Sequence, residues 1–157
     1  MKKNKGFTLI ELLAVIIILA IIALIAVPQV MKILNQSKKS AFENSVNGLF
    51  KSSDNYISNF MLKNDGSIPS EFEFECNKDG CKLTNESKTK LNGYNLDGLE
   101  DLAFKGKSPK SGTIKVSENG KTIYADSITD GTWCATGYID NLTISQDCKQ
   151  IEDSTPD

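Results

Sequence analysis

The chain reads as an α+β protein in which one long N-terminal helix carries a small antiparallel β head. Three observations predict this architecture. An unbroken apolar run fills residues 12–27, apolar residues then recur at helical spacing as far as Met61, and strand-like alternation between turn signals takes over beyond residue 70. Of 157 residues in total, the helix leaves enough for only one small domain.

The N-terminal element is the most constrained. Lys2, Lys3 and Lys5 precede the apolar run, and basic residues stay on the cytoplasmic side of a membrane. As a helix rising about 1.5 Å per residue, residues 7–27 span roughly 30 Å, one bilayer core. A secretory signal has a shorter apolar stretch with a small-residue cleavage site behind it. Here Pro28-Gln29-Val30 offers no such site, and the helical pattern runs on. The anomaly is Glu11, a carboxylate inside a segment otherwise apolar enough for lipid. An unpaired acid at mid-helix costs on the order of 3 kcal/mol to insert, so it persists only with a partner. Glu11 is therefore the first candidate functional residue.

The residues Gly6-Phe7-Thr8-Leu9-Ile10-Glu11 resemble the processing motif of type IV pilins and of the pseudopilins of secretion and competence systems. Leu12-Leu13 continue the likeness, and Pro28 falls where many members carry a helix-bending proline. The resemblance implies cleavage between Gly6 and Phe7 by a membrane-embedded aspartic peptidase, then N-methylation of Phe7. It also implies that Glu11 pairs with the N-terminal amine of a neighbouring subunit. The chemistry is consistent on its own terms: a free α-amine is largely protonated near neutral pH, and in a low-dielectric core it is the natural partner of a carboxylate. A plain signal anchor would leave the order of these residues unexplained.

The same resemblance implies a leader at residues 1–6, a transmembrane and filament-core half-helix at 7–28, an amphipathic half at 29–64 and a β head at 65–157, the lollipop of the family. It implies a structural role rather than an enzymatic one. The chain would be a single-pass protein of the cytoplasmic membrane with its head outside, and later part of a cell-surface filament. Its partners would be copies of itself or other pilins, the prepilin peptidase, an assembly ATPase and a membrane platform protein. Two other readings stay open: a pseudopilin of a type II secretion or DNA-uptake machine, and a filament-displayed binding module for DNA or surfaces.

Beyond Pro28, which is expected to bend or locally open the helix, apolar residues recur at Val30, Ile33, Leu34, Ala41, Val46, Leu49, Phe50, Ile57, Phe60 and Met61. These spacings trace one stripe, read as the core face of the head, with Phe42 flanking it. Gly48 and the serines weaken the helix by propensity, so packing must hold this half. Asn64-Asp65-Gly66 and the following Pro69 stop the helix near Lys63.

In the head, residues 71–76 alternate so that Phe72, Phe74 and Cys76 share a face, and after the turn Asn77-Lys78-Asp79-Gly80 a strand returns through residues 81–84. Residues 85–110 read as a structured connector with one helical turn. Residues 113–116 and 122–125 flank Glu118-Asn119-Gly120, a strong hairpin signal. Further strands are expected at 133–139 and 141–144, with fraying from Lys149.

The chain has four cysteines, Cys76, Cys81, Cys134 and Cys148. In an exported head they point to disulfides rather than zinc, since no CxxC pair is present. Three pairings exist on paper. We favour Cys76 with Cys81 across the hairpin and Cys134 with Cys148, the latter resembling the disulfide-bounded C-terminal loop of many type IV pilins.

Charge and motif content exclude several functions. The charged residues are 18 basic, all lysine, against 20 acidic, with no histidine. Losing the leader lysines makes the mature chain more acidic than the formal −2, against a broad nucleic-acid footprint. Nucleic acid stays open only through a local patch at Lys105, Lys107 and Lys110. Histidine-dependent sites are impossible, and the chain has no phosphate loop or nucleophile elbow. Glu71, Glu73 and Glu75 read as a solvated strand edge. No cofactor is expected. Calcium is considered because some pseudopilins bind it, and the carboxylates of residues 97–101 and 126–130 are the candidates, although neither fits an EF-hand. Asn85-Glu86-Ser87 and Asn141-Leu142-Thr143 match glycosylation sequons.

Overall fold

The computed structural model describes residues 6–146 and 148. The leader lysines at positions 2, 3 and 5 and the expected fraying from Lys149 lie outside those residues. The chain divides into two compact units, one ending at Lys38 and one beginning at Lys39. Helix α1 (Leu9–Lys63) contributes to both.

In the first unit α1 is apolar, exposed along its length and long enough to cross a membrane. It continues through Pro28 as helix. Val30, Ile33 and Leu34 are exposed like the residues before them. They are therefore not part of the head core that the stripe led us to expect.

In the second unit the core face of α1 starts at Phe42, which is buried, while Ala41 is exposed. That reverses their expected roles. A large ring reaches the sheet from the edge of the stripe, where a methyl group cannot. From there the buried positions are Phe42, Val46, Leu49, Phe50, Ser53, Tyr56, Ile57 and Phe60, at helical spacings of three and four. Ser53 is accommodated by donating its hydroxyl to the Leu49 carbonyl at 3.0 Å. Gly48 is where the loop after residue 103 crosses the helix, and a Cβ there would stand 3.4 Å from the Lys105 carbonyl oxygen. The helix ends as the sequence dictates. Asp65 and Gly66 take positive φ, and the Gly66 N–H donates to the Met61 carbonyl at 2.8 Å.

The head is a seven-stranded antiparallel sheet. Its strands are β1 (Phe72–Asn77), β2 (Gly80–Leu83), β3 (Asp101–Leu102), β4 (Ser111–Ser117), β5 (Thr122–Thr129), β6 (Cys134–Tyr138) and β7 (Asn141–Ser145), in the order β3-β2-β1-β4-β5-β6-β7. A short helix α2 (Asn85–Lys90) opens the connector, capped by the Thr84 hydroxyl accepting from the Ser87 N–H at 3.1 Å. Strand β3, a two-residue edge, is an element the composition of the connector did not signal. In the turn between β4 and β5, Glu118, Asn119 and Gly120 all take positive φ. At Gly120 a Cβ would also come within 2.8 Å of Ile68 and 2.9 Å of Ile57, so glycine is required there.

The inner face of the sheet meets α1 through aromatic rings. Tyr56 stands edge-on to Phe74 at 4.8 Å, Phe60 stacks on Phe72 at 6.2 Å, and Tyr94 closes on Phe60 at 5.2 Å. Burying each of these rings contributes roughly 1.5–3 kcal/mol, before about 0.5–1.5 kcal/mol for each well-placed aromatic pair. The Tyr56 hydroxyl donates to the Leu99 carbonyl at 2.8 Å, and burial pushes this phenol well above its ordinary value of 10.0. Asn64 adds a second tie to the connector, accepting from the Asn95 N–H at 2.6 Å.

Tyr56→Phe removes the bond to Leu99 and is expected to lower stability by about 1 kcal/mol near neutral pH. The folded phenol ionises at higher pH than the unfolded one, so the wild type loses stability as pH rises past about 10, and the variant has no such loss. Thermal melts of the full chain in detergent at neutral and alkaline pH check this. The gap between the two proteins should close at the alkaline end. A gap independent of pH would show that Tyr56 is not the group coupled to folding.

Candidate functional site

The N-terminal motif is built from the start of α1. Gly6, Phe7 and Thr8 precede the helix, and Phe7 is 89% exposed. A Cβ added at Gly6 would meet nothing within 4 Å, so this chain's own packing does not demand glycine at that position. Thr8 acts as the N-cap, its carbonyl accepting the first helical bond from the Leu12 N–H at 3.3 Å.

Glu11 is bonded back to that cap. Its Oε2 accepts from the Thr8 backbone N–H and from the Thr8 hydroxyl, each at 2.8 Å, while the Glu11 N–H donates to the Thr8 Oγ1 at 3.3 Å. This is a capping box, Thr-x-x-Glu, in which two otherwise orphaned N–H groups and a carboxylate satisfy one another. Sequence reasoning singled out Glu11 but missed Thr8 as its partner. The signal was legible: a threonine, two residues, then a glutamate, at the head of an apolar run. Both bonds from Thr8 fall on Oε2, and Oε1 takes none among the described residues. The carboxylate thus keeps one oxygen for an outside donor. Leu9, Ile10, Leu12 and Leu13 around it are all exposed, an apolar collar with no covering side chain in this chain.

The remaining candidates lie in the head. Cys76 and Cys81 are direct partners in the β1–β2 register and are joined by a disulfide, and a second disulfide joins Cys134 to Cys148. The latter closes a sequence separation of 14 and contributes about 3 kcal/mol on a chain-entropy account. Lys105, Lys107 and Lys110 are exposed on the loop leading into β4. The carboxylates considered for calcium are held by protein partners. Asp126 pairs with Lys115 at 2.7 Å, and Asp130 Oδ1 accepts the Thr132 and Trp133 N–H groups at 2.8 and 2.9 Å. Among the described residues no group of three or more acidic or cysteine side chains is arranged to hold a metal ion. In the first sequon Ser87 is buried, its hydroxyl accepting from the Glu73 N–H at 2.7 Å, whereas the second lies on the edge strand β7.

Comparison with known families gives one match. Residues 1–27 fit the family model of the prokaryotic N-terminal methylation motif. The chain carries the prepilin-type signal of type IV pilins and pseudopilins. The matched residues include Gly6, Phe7, Thr8 and Glu11, the positions whose geometry is described above. No curated protein and no solved structure matches the chain. The prepilin-type signal and the apolar helix behind it make this a membrane-anchored protein and a substrate for prepilin peptidase.

The cap itself is testable in the unprocessed precursor. Thr8→Val deletes the hydroxyl from the box and should weaken the first turn by about 1 kcal/mol. Amide hydrogen exchange in detergent micelles would then run about fivefold faster at Glu11 and unchanged beyond Pro28. Unaltered exchange at Glu11 would show that the box does not hold the helix start.

Proposed function

We propose that this chain is a structural subunit of a type IV pilus-like filament. Prepilin peptidase cuts between Gly6 and Phe7, the amine of Phe7 is methylated, and the mature helix is stored in the cytoplasmic membrane with the head outside. An assembly ATPase and a membrane platform protein then lift subunits into a filament made of this chain alone or with other pilins. Moving residues 7–28 from lipid into a bundle of like helices exchanges one apolar environment for another, so the step needs no large desolvation.

The observation that carries this reading is Glu11. A single acid stands in a helix otherwise uncharged up to Lys32, one turn behind the cleavage position, with one oxygen engaged by Thr8 and the other open. A protonated amine on a neighbouring copy supplies what the open oxygen lacks, and in an apolar surround that pair fixes register. Gly6 supports the peptidase step from the other side. The fold leaves room for a side chain there, so the glycine answers to an outside partner.

Two measurements test the proposal. Mass spectrometry of surface-exposed protein should find Phe7 as the N-terminus, carrying one added methyl group. Recovery of Met1, or of a terminus beyond residue 27, would refute processing ahead of the helix. Glu11→Ala should insert into the membrane normally yet yield at least about tenfold fewer filaments, the scale of losing one buried charge pair. Wild-type filament numbers from that variant would remove Glu11 from assembly.

A further inference from the structure

The sheet face turned away from α1 is chemically unlike the inner one. Strand register sets Glu73, Lys115, Tyr124, Tyr138 and Asn141 in one row across β1, β4, β5, β6 and β7. Asp126, opposite Thr113, stands beside the row and pairs with Lys115 at 2.7 Å. The Tyr124 and Tyr138 rings lie 5.0 Å apart at an interplanar angle of 66°, and Tyr138 is 48% exposed. At a strand spacing of about 4.8 Å the row is roughly 19 Å long.

The composition of this row selects the class of partner. It has no aliphatic side chain, so it lacks the desolvated apolar centre that a protein partner would need. Its carboxylates, Glu73 and Asp126, outnumber its one ammonium, and that ammonium is already paired, so a polyanion such as nucleic acid is repelled. What remains complementary is an uncharged chain with C–H faces and many hydroxyls. The electron-rich faces of tyrosine rings attract C–H edges, and carboxylate, amide, ammonium and phenol groups exchange hydrogen bonds with hydroxyls. Burial, with the Asp126 carboxylate second, holds the Tyr124 phenol above its ordinary range, so it stays a neutral donor.

We propose that the outward sheet face centred on Tyr124 and Tyr138 is a platform for an uncharged polysaccharide, with Tyr138 stacking on a sugar ring and Glu73, Lys115, Asp126 and Asn141 binding its hydroxyls. The platform belongs to the head and does not depend on how the helix is processed. A length of roughly 19 Å spans several sugar units, so binding grows with oligomer length.

The test is titration calorimetry of the full chain in a sugar-free zwitterionic detergent, with cellohexaose, maltohexaose and chitohexaose as probes and a single-stranded DNA oligomer as the anionic control. At least one hexasaccharide should bind. Tyr138→Ala should weaken that binding about tenfold and Tyr138→Phe by less than about threefold, because the ring and not the hydroxyl does the stacking. Circular dichroism confirms that the variants fold, and Asn141→Ala provides a second probe, at an exposed position, with a smaller loss expected. Absence of binding by all three sugars, equal binding by Tyr138→Ala, or salt-sensitive binding of the DNA in their place would each overturn the proposal.

Discussion

The structure depends on how one carboxylate is accommodated at the start of an apolar helix. Glu11 bonds to the backbone N–H and hydroxyl of Thr8, which turns a charge that would oppose membrane insertion into the cap of the segment that inserts. The helix dipole works in the same direction, since an acid in the first turn faces the positive end. A cap of this kind uses only one carboxylate oxygen. The residue is therefore stable enough to wait in a membrane and still incompletely satisfied, which is what a register-setting contact requires. An alanine would make a better anchor and a poorer subunit.

Helix α1 meets two different demands along its length. Its first part buries no side chain within the chain, and its apolar residues from Phe7 to Leu34 stay exposed. From Phe42 onward, rings and aliphatic groups at spacings of three and four are covered by the sheet. Helix propensity alone would not hold the second part, which carries Gly48 and buried Ser52 and Ser53. Packing compensates: Ser53 returns its hydroxyl to the helix, and Gly48 admits a loop carbonyl.

These two regimes explain what could be read from the sequence. The end of α1, the β1–β2 and β4–β5 hairpins and the last strands were legible because each has a local signal: Asn64-Asp65-Gly66, strict alternation at Phe72 and Phe74, and Glu118-Asn119-Gly120. The point where the stripe on α1 becomes core was not legible. Val30, Ile33 and Leu34 have the same spacing as Val46 and Leu49, and periodicity does not say what covers a face. Phe42 against Ala41 was missed for a related reason, since reach across an interface depends on side-chain size as well as phase. Strand β3 is two residues long and is defined by its pairing with Cys81 and Lys82, not by its own pattern. At the site, Glu11 stood out through its improbability in an apolar run, while Thr8 looked ordinary and was passed over.

The same contrast accounts for a family match that stops at residue 27. The first residues answer to fixed chemistry: a peptide bond cut beside Gly6, an amine exposed on Phe7, and an acid one turn further on. No other side chains meet those demands at that spacing. The head answers to a looser demand, a sheet whose inner face offers enough apolar volume to cover the stripe from Phe42 to Phe60. Many sequences satisfy that condition if hydrophobic pattern and volume are kept. Its outer face is freer still, because Glu73, Lys115 and Tyr138 contribute little to the core whose other side they cover. Residues on that face can change at little cost to folding, so an aromatic and acidic row there reflects what the head meets outside the membrane rather than what holds it together.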